Sequence, residues 1–107
     1  MKTLKFEGKL AQLILSGEKD VTWRIFDNKN LSAGDEITLI NSDSMTEFGK
    51  GKIISVREKK FKDLDDVDLA GHEKFETREK MLETYRRYYG DTVTVDTFVK
   101  IVKFKLL

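Results

Sequence analysis

The sequence contains no cysteine, no proline and a single histidine among 107 residues. Without cysteine there are no disulfides, no thiolate metal sites and no cysteine nucleophile. One histidine leaves too few ligands for a structural zinc site, so neither a metal nor a cofactor is expected. No apolar run approaches the roughly 18 residues of a membrane span. The opening MKTLKFEGKL has no apolar segment of the signal-peptide kind, so a cytoplasmic protein without membrane contact is expected. A dominant charge is missing as well: Lys+Arg 20 against Asp+Glu 19 gives +1. No overall field draws in nucleic acid, and any such affinity must come from a local patch. What remains is 39% hydrophobic and 36% charged residues, which suits one well-solvated domain, 1–107, around a small core.

The apolar residues change period along the chain. Leu4 and Phe6 alternate with Lys5 and Glu7 as in a short strand. Leu10, Leu13 and Ile14 stand three and four apart and predict a helix, with Gly17 where a left-handed cap is needed. Over 21–26 the pattern returns to period two. A polar loop at 27–32 and a turn at Ala33-Gly34-Asp35 lead to a strand around Ile37 and Leu39. After a polar loop, 48–61 reads as one long strand in which Gly49 and Gly51 mark a bulge or barrel corner. The acidic stretch 61–69 predicts a short helix or turn with a solvated face; Asp63, Asp65, Asp66 and Asp68 lack calcium-loop spacing. His72 follows a glycine break and reads as an idle surface histidine. The clearest helix is 75–89, with Phe75, Arg78, Met81, Leu82, Tyr85, Tyr88 and Tyr89 on its stripe. The last strand, 96–107, is apolar on both faces. About five strands and two main helices without regular alternation predict an α+β, mainly β fold, a small barrel rather than a parallel α/β sheet.

One junction gathers reactive groups. On a strand, Val21, Trp23 and Ile25 share one face, leaving Thr22 and Arg24 side by side on the other. Lys19 lies in the turn just before them. A hydroxyl and two cations suit a phosphate, a carboxylate or a carbonyl oxygen. Ordinary polar residues on a wet strand would look the same, because motifs this short recur by chance. The glycine turn, the tryptophan behind the strand and the position at an element junction favour a site.

The 75–89 helix offers a second set. Arg78 falls inside the apolar stripe and must reach water or meet an acceptor. Glu79 flanks the stripe by helical spacing and is the carboxylate best placed to face the barrel, while Glu76 and Glu83 turn toward solvent. Tyr88 and Tyr89 could stack bases, although at least one belongs to the core. Arg86 and Arg87 are accounted for by the helix dipole. Arg57 and Lys59-Lys60-Phe61-Lys62 form a basic run able to track phosphates, or simply a solvated strand end.

Ile14-x-x-Gly17-x-Lys19-x-x-Thr22-x-Arg24, followed by Ala33-Gly34-Asp35 and a strand, resembles the ASCH (activating signal cointegrator homology) domain. Gly71-His72-Glu73-Lys74-Phe75-Glu76, a helix ending Tyr88-Tyr89-Gly90 and a final strand fit the same family, so the likeness spans nearly the whole chain. The resemblance implies a PUA-like β-barrel that binds RNA in a groove lined by the signature residues. It also implies a second possibility. One branch of small single-domain members hydrolyses N4-acetylcytidine to cytidine and acetate, using the signature lysine and threonine with a glutamate from the later helix. Here the lysine is Lys19 and the threonine Thr22. Spacing back from Tyr89 puts Lys80 where the glutamate would stand, which leaves Glu79 beside it, or Glu76.

Three expectations follow. The first is a module binding RNA or a modified nucleotide through Lys19, Thr22 and Arg24, joined by Arg78, Tyr89 and Lys60. The second is an amidohydrolase with Thr22 as nucleophile, Lys19 as its base, Arg24 at the oxyanion and Glu79 in proton transfer. That base must be a neutral amine, which needs a desolvated or cation-crowded site. The third is a regulatory interaction domain without catalysis. A monomer is favoured in each case.

Overall fold

The computed structural model describes residues 2–26, 29–72 and 75–107. Asp27 and Asn28 of the expected loop, and Glu73 and Lys74 of the expected family stretch, lie outside the described residues. Strand β1 (Lys2–Phe6) leads into helix α1 (Gly8–Leu15). Strands β2 (Val21–Arg24), β3 (Glu36–Asn41) and the long β4 (Thr46–Lys60) follow. A single 3-10 turn at Phe61–Asp63 precedes α2 (Asp66–Leu69). Helix α3 (Arg78–Tyr89) and strand β5 (Phe98–Leu106) complete the chain.

The five strands form one curled sheet, a half-barrel, in the order β1-β3-β4-β5-β2. Strand β1 runs parallel to β3, and the other pairs are antiparallel. The two edge strands, β1 and β2, are the first two in sequence. Register slips in β4 opposite Leu39/Ile40, where Phe48 is passed over beside Gly49, and again between Ile53 and Ser55. Such bulges bend a strand and raise its twist; the first lies beside Gly49 and the second passes over Ile54.

Two hydrophobic clusters use the two sets of alternating residues. Val21, Trp23, Ile25, Val99 and Ile101 pack with Phe61, Met81 and Tyr85. Leu4, Phe6, Ile37, Leu39, Ile53, Val102 and Phe104 pack with Ile14 of α1. Strand β5 feeds both clusters through Ile101 and Val102, which explains apolar residues on both its faces. Thr22 pairs with Val102 in register and is itself buried, so its face of β2 is not a wet surface.

Several expectations change in the folded chain. Helix α3 begins at Arg78, not 75, because Thr77 caps it by accepting the Lys80 N–H at 3.1 Å. Asp63, Asp65 and Asp66 of the acidic stretch are exposed as expected, but Asp68 is buried, at 1% exposed. His72 is not on the surface. It is 5% exposed, stacks on Trp23 with ring centres 4.0 Å apart, and meets the Tyr85 hydroxyl at 3.2 Å.

Candidate functional site

The backbone ending α1 fixes Lys19. The Glu18 N–H bonds to Leu13 O at 2.9 Å and the Gly17 N–H to Ile14 O at 3.1 Å, the paired bonds of a Schellman cap. Gly17 has φ +85, a conformation that favours glycine. The Lys19 N–H then joins the same Leu13 carbonyl at 3.1 Å. Beyond it, Gly71 accepts the N–H groups of Asp20 and Val21 at 3.0 and 3.2 Å. At φ +78, a Cβ on Gly71 would lie 1.9 Å from an Asp20 carboxylate oxygen. Only glycine fits there, and the contact registers the start of β2 against the segment carrying His72.

Lys19 is consequently buried, 2% exposed, with Nζ donating to Val21 O at 2.7 Å. Arg24 reaches across to the opposite edge strand. Its Nη2 donates to Lys5 O at 2.9 Å, and its guanidinium lies 4.7 Å from the centre of the Phe6 ring. Arg24 therefore bridges β2 and β1, the two strands the sheet leaves unjoined.

A cavity of about 360 Å³ occupies this seam. Lys19, Thr22, Trp23 and Arg24 form one wall. Lys5, Phe6, Glu7 and Leu10 form another. Tyr85, Tyr88 and Tyr89 of α3 enter from the side, and Ser42 closes one corner. The three tyrosines form a stack: Tyr85 and Tyr89 lie 6.2 Å apart and nearly parallel, and Tyr88 meets Tyr85 edge-on at 6.1 Å. Burial, and after it the Glu7 carboxylate, push the Tyr88 phenol above its ordinary pKa, while Arg87 pulls the other way. The chamber thus joins aromatic rings, cations, the hydroxyls of Thr22 and Ser42 and the carboxylate of Glu7.

Of the residues singled out in the sequence, Lys19, Thr22, Arg24 and Tyr89 meet here. Four others stand elsewhere. Arg78 donates to the carbonyls of Phe61 at 3.0 Å and Leu64 at 3.4 Å, which are its acceptors beneath the helix. Glu79 lies on an exposed depression with Lys80 and Glu83. The core face of α3 is marked by Met81, and two residues turn a helix by about 200°, so Glu79 points outward. Glu76 precedes the helix and pairs with Lys80 at 2.8 Å on the surface. Lys60 sits 5.6 Å from the ring centre of Phe98.

The cavity's carboxylate is Glu7, which the sequence reading passed over. It occupies the N-cap position of α1 but makes no side-chain cap bond, and its ion partner is Lys9 at 3.7 Å. The signal for Glu7 was the one used for Lys19: a charged residue at a strand–helix junction. Tyr88, expected with Tyr89 as a candidate for stacking bases, and Tyr85, expected only on the apolar stripe, also reach the cavity.

The basic run folds differently. Arg57 and Lys59 close on Asp68 at 2.8 and 2.9 Å, and Lys62 pairs with Asp96 at 2.9 Å. Burial pushes the Asp68 carboxyl up, but bonds from Lys59, the Asp65 N–H and Arg57 outweigh it and hold the pKa below 3.8. Among the described residues, no group of three His, Asp or Glu side chains could hold a metal ion. No helix there is long and apolar enough to cross a membrane.

No protein-family model matches the sequence, and no curated protein matches it. Solved structures do. Protein EF3133 from Enterococcus faecalis V583, of family DUF984, superposes with a TM-score of 0.83 over 100% of this chain and 80% of its own, at 13% identity. An ASCH domain from Lactobacillus crispatus matches with a TM-score of 0.73 over 98% of this chain and 79% of its own, at 16% identity. The hypothetical protein PH0355 covers both chains completely at a TM-score of 0.77 and 20% identity. At these identities the likeness is one of fold. The chain has the fold of the ASCH domain, a mainly β, PUA-like half-barrel.

Proposed function

We propose that the seam cavity binds one nucleotide of RNA, or a free modified nucleoside. The observation that carries this reading is the pairing of a three-tyrosine wall with Lys19, Thr22 and Arg24 in a volume of about 360 Å³. Aromatic faces take a base by stacking, and a cationic wall takes phosphate or a polar base edge. The near-neutral net charge of +1 suits a single nucleotide or short strand better than a long duplex. Calorimetric titration with the four ribonucleoside 5′-monophosphates tests this. Binding should weaken as salt rises. Loss of all measurable heat at every salt concentration would remove the reading.

A second reading is favoured by Glu7. With Thr22, Lys19 and a carboxylate lining one cavity, the parts for cleaving an acylated exocyclic amine are together. Thr22 Oγ1 would attack the acyl carbon while a neutral Lys19 amine takes its proton. Glu7 would take that proton from Lys19 and pass it to the leaving amine, and water would release the acid from the threonine ester. Incubation with N4-acetylcytidine, wild type beside Thr22→Ala, decides. Release of cytidine and acetate by the wild type alone supports hydrolysis. Equal background in both leaves a binder.

A further inference from the structure

A second groove, of about 570 Å³, begins where the seam cavity stops, and Arg24 lines both. Its aromatic residues are Phe26 and Phe98, 64% and 57% exposed. Phe26 continues the tyrosine wall, its ring meeting Tyr89 edge-on at 6.3 Å. Phe26 also has φ 54, in the left-handed region that bulky side chains rarely adopt. Backbone held in such a conformation tends to collect at functional sites. Here it leaves an exposed ring at the mouth of the cavity. At the far end, Lys60 sits beside the Phe98 ring and Lys100 lines the floor. The groove is not purely basic: Glu58 and Asp96 also line it, the latter paired with Lys62.

We propose that this groove is the path of a single-stranded RNA whose one base occupies the seam cavity. The proposal rests on the nucleotide reading above and extends it from one nucleotide to a strand. Tyr85 is buried behind the wall, while Tyr88, Phe26 and Phe98 are exposed along the path, so successive bases have rings to stack on. Arg24 stands between the two base positions, where a backbone phosphate would cross. Stacking rings interleaved with cations are the usual platform for a single strand. Glu58 and Asp96 would face a phosphate poorly, but Glu58 and Thr92 offer acceptors to a ribose 2′-hydroxyl, which DNA lacks.

The test is an NMR titration of the 15N-labelled protein with the four monophosphates, a mixed-sequence RNA tetramer and its DNA counterpart. The RNA tetramer should bind about tenfold or more tighter than the best monophosphate. It should also shift the amides of Phe26, Phe98 and Lys100, which monophosphates leave in place. Phe98→Ala should lower the tetramer-to-monophosphate affinity ratio about tenfold, and Phe98→Trp should restore it. The strand path is overturned if the tetramer binds no tighter than a monophosphate, or if Phe98→Ala leaves the ratio unchanged. Either result would leave the one-nucleotide reading standing. Equal binding of RNA and DNA overturns the assignment to RNA. Binding of neither nucleic acid nor monophosphate removes both readings together.

Discussion

The Asp68 cluster and the seam cavity are built from similar parts, and they end differently. In the first, a carboxylate with a fully buried side chain is gripped by Arg57 and Lys59 and by the N–H of Asp65. Nothing separates the charges, and the groups hold one another. In the second, Lys19 and Arg24 reach backbone carbonyls of Val21 and Lys5, while their flanks border about 360 Å³ of space. The sequence shows basic residues in both places. What distinguishes a structural tie from a site is whether the fold leaves volume between the groups.

The largest effect should come from opening the tie. Asp68→Ala removes the shared acceptor and half of the α2 capping box. Arg57 and Lys59 are partly exposed and can return to water, so the expected loss is about 3 kcal/mol of folding stability, read by urea denaturation. Ligand binding by the folded fraction should not change. The wild type should show the same tie in its acid response. The folded-state pKa of Asp68 lies below 3.8, so its contribution is complete above about pH 4 and is lost as pH falls through the folded value. Denaturation midpoints from pH 6 to pH 2 should therefore drop less steeply in Asp68→Asn than in the wild type.

Lys19→Met should do the reverse. Methionine keeps the apolar stem in a buried position and removes the charge. Stability should fall by about 1 kcal/mol for the lost bond to Val21 O, while monophosphate binding falls about tenfold or more. A variant that loses stability and keeps binding would place Lys19 with Asp68, as a structural tie.

Arg78→Met probes a cation that resembled a site residue. Its bonds to the carbonyls of Phe61 and Leu64 hold α3 over the turn below. About 1–2 kcal/mol of stability should be lost on thermal melting, with binding affinity intact.

Much of the fold was legible because its signals are local. The Gly17 cap, the alternation of Val21, Trp23 and Ile25, and the glycines beside the first β4 bulge each depend on a few neighbouring residues. The triad Lys19, Thr22 and Arg24 was legible for the same reason. His72 and Asp68 were misread because their burial depends on partners distant in sequence, Trp23 and Tyr85 for one and Arg57 and Lys59 for the other. Glu7 faces α3 only once β1 and β2 have closed toward each other. No window of sequence contains that event.

The smallest expected effect bears most directly on chemistry. Glu79 was favoured on helical spacing from Phe75, but Phe75 precedes the helix, and Glu79 stands on the outer surface. Glu79→Gln should therefore leave stability within about 0.5 kcal/mol of the wild type and leave ligand affinity unchanged. Glu7→Gln should be equally mild on stability, because its ion pair with Lys9 is long and exposed. The two should part in the cavity. Neutralising Glu7 removes the carboxylate beside Tyr88, so the Tyr88 phenol should titrate at lower pH than in the wild type, followed by ultraviolet difference absorbance. If N4-acetylcytidine is cleaved, Glu7→Gln should slow turnover by about a hundredfold, the scale of a lost general acid, and Glu79→Gln should not. A slow Glu79→Gln beside an unaffected Glu7→Gln would mean that α3 turns its outer face inward when ligand binds, and the seam as described would not be the catalytic geometry.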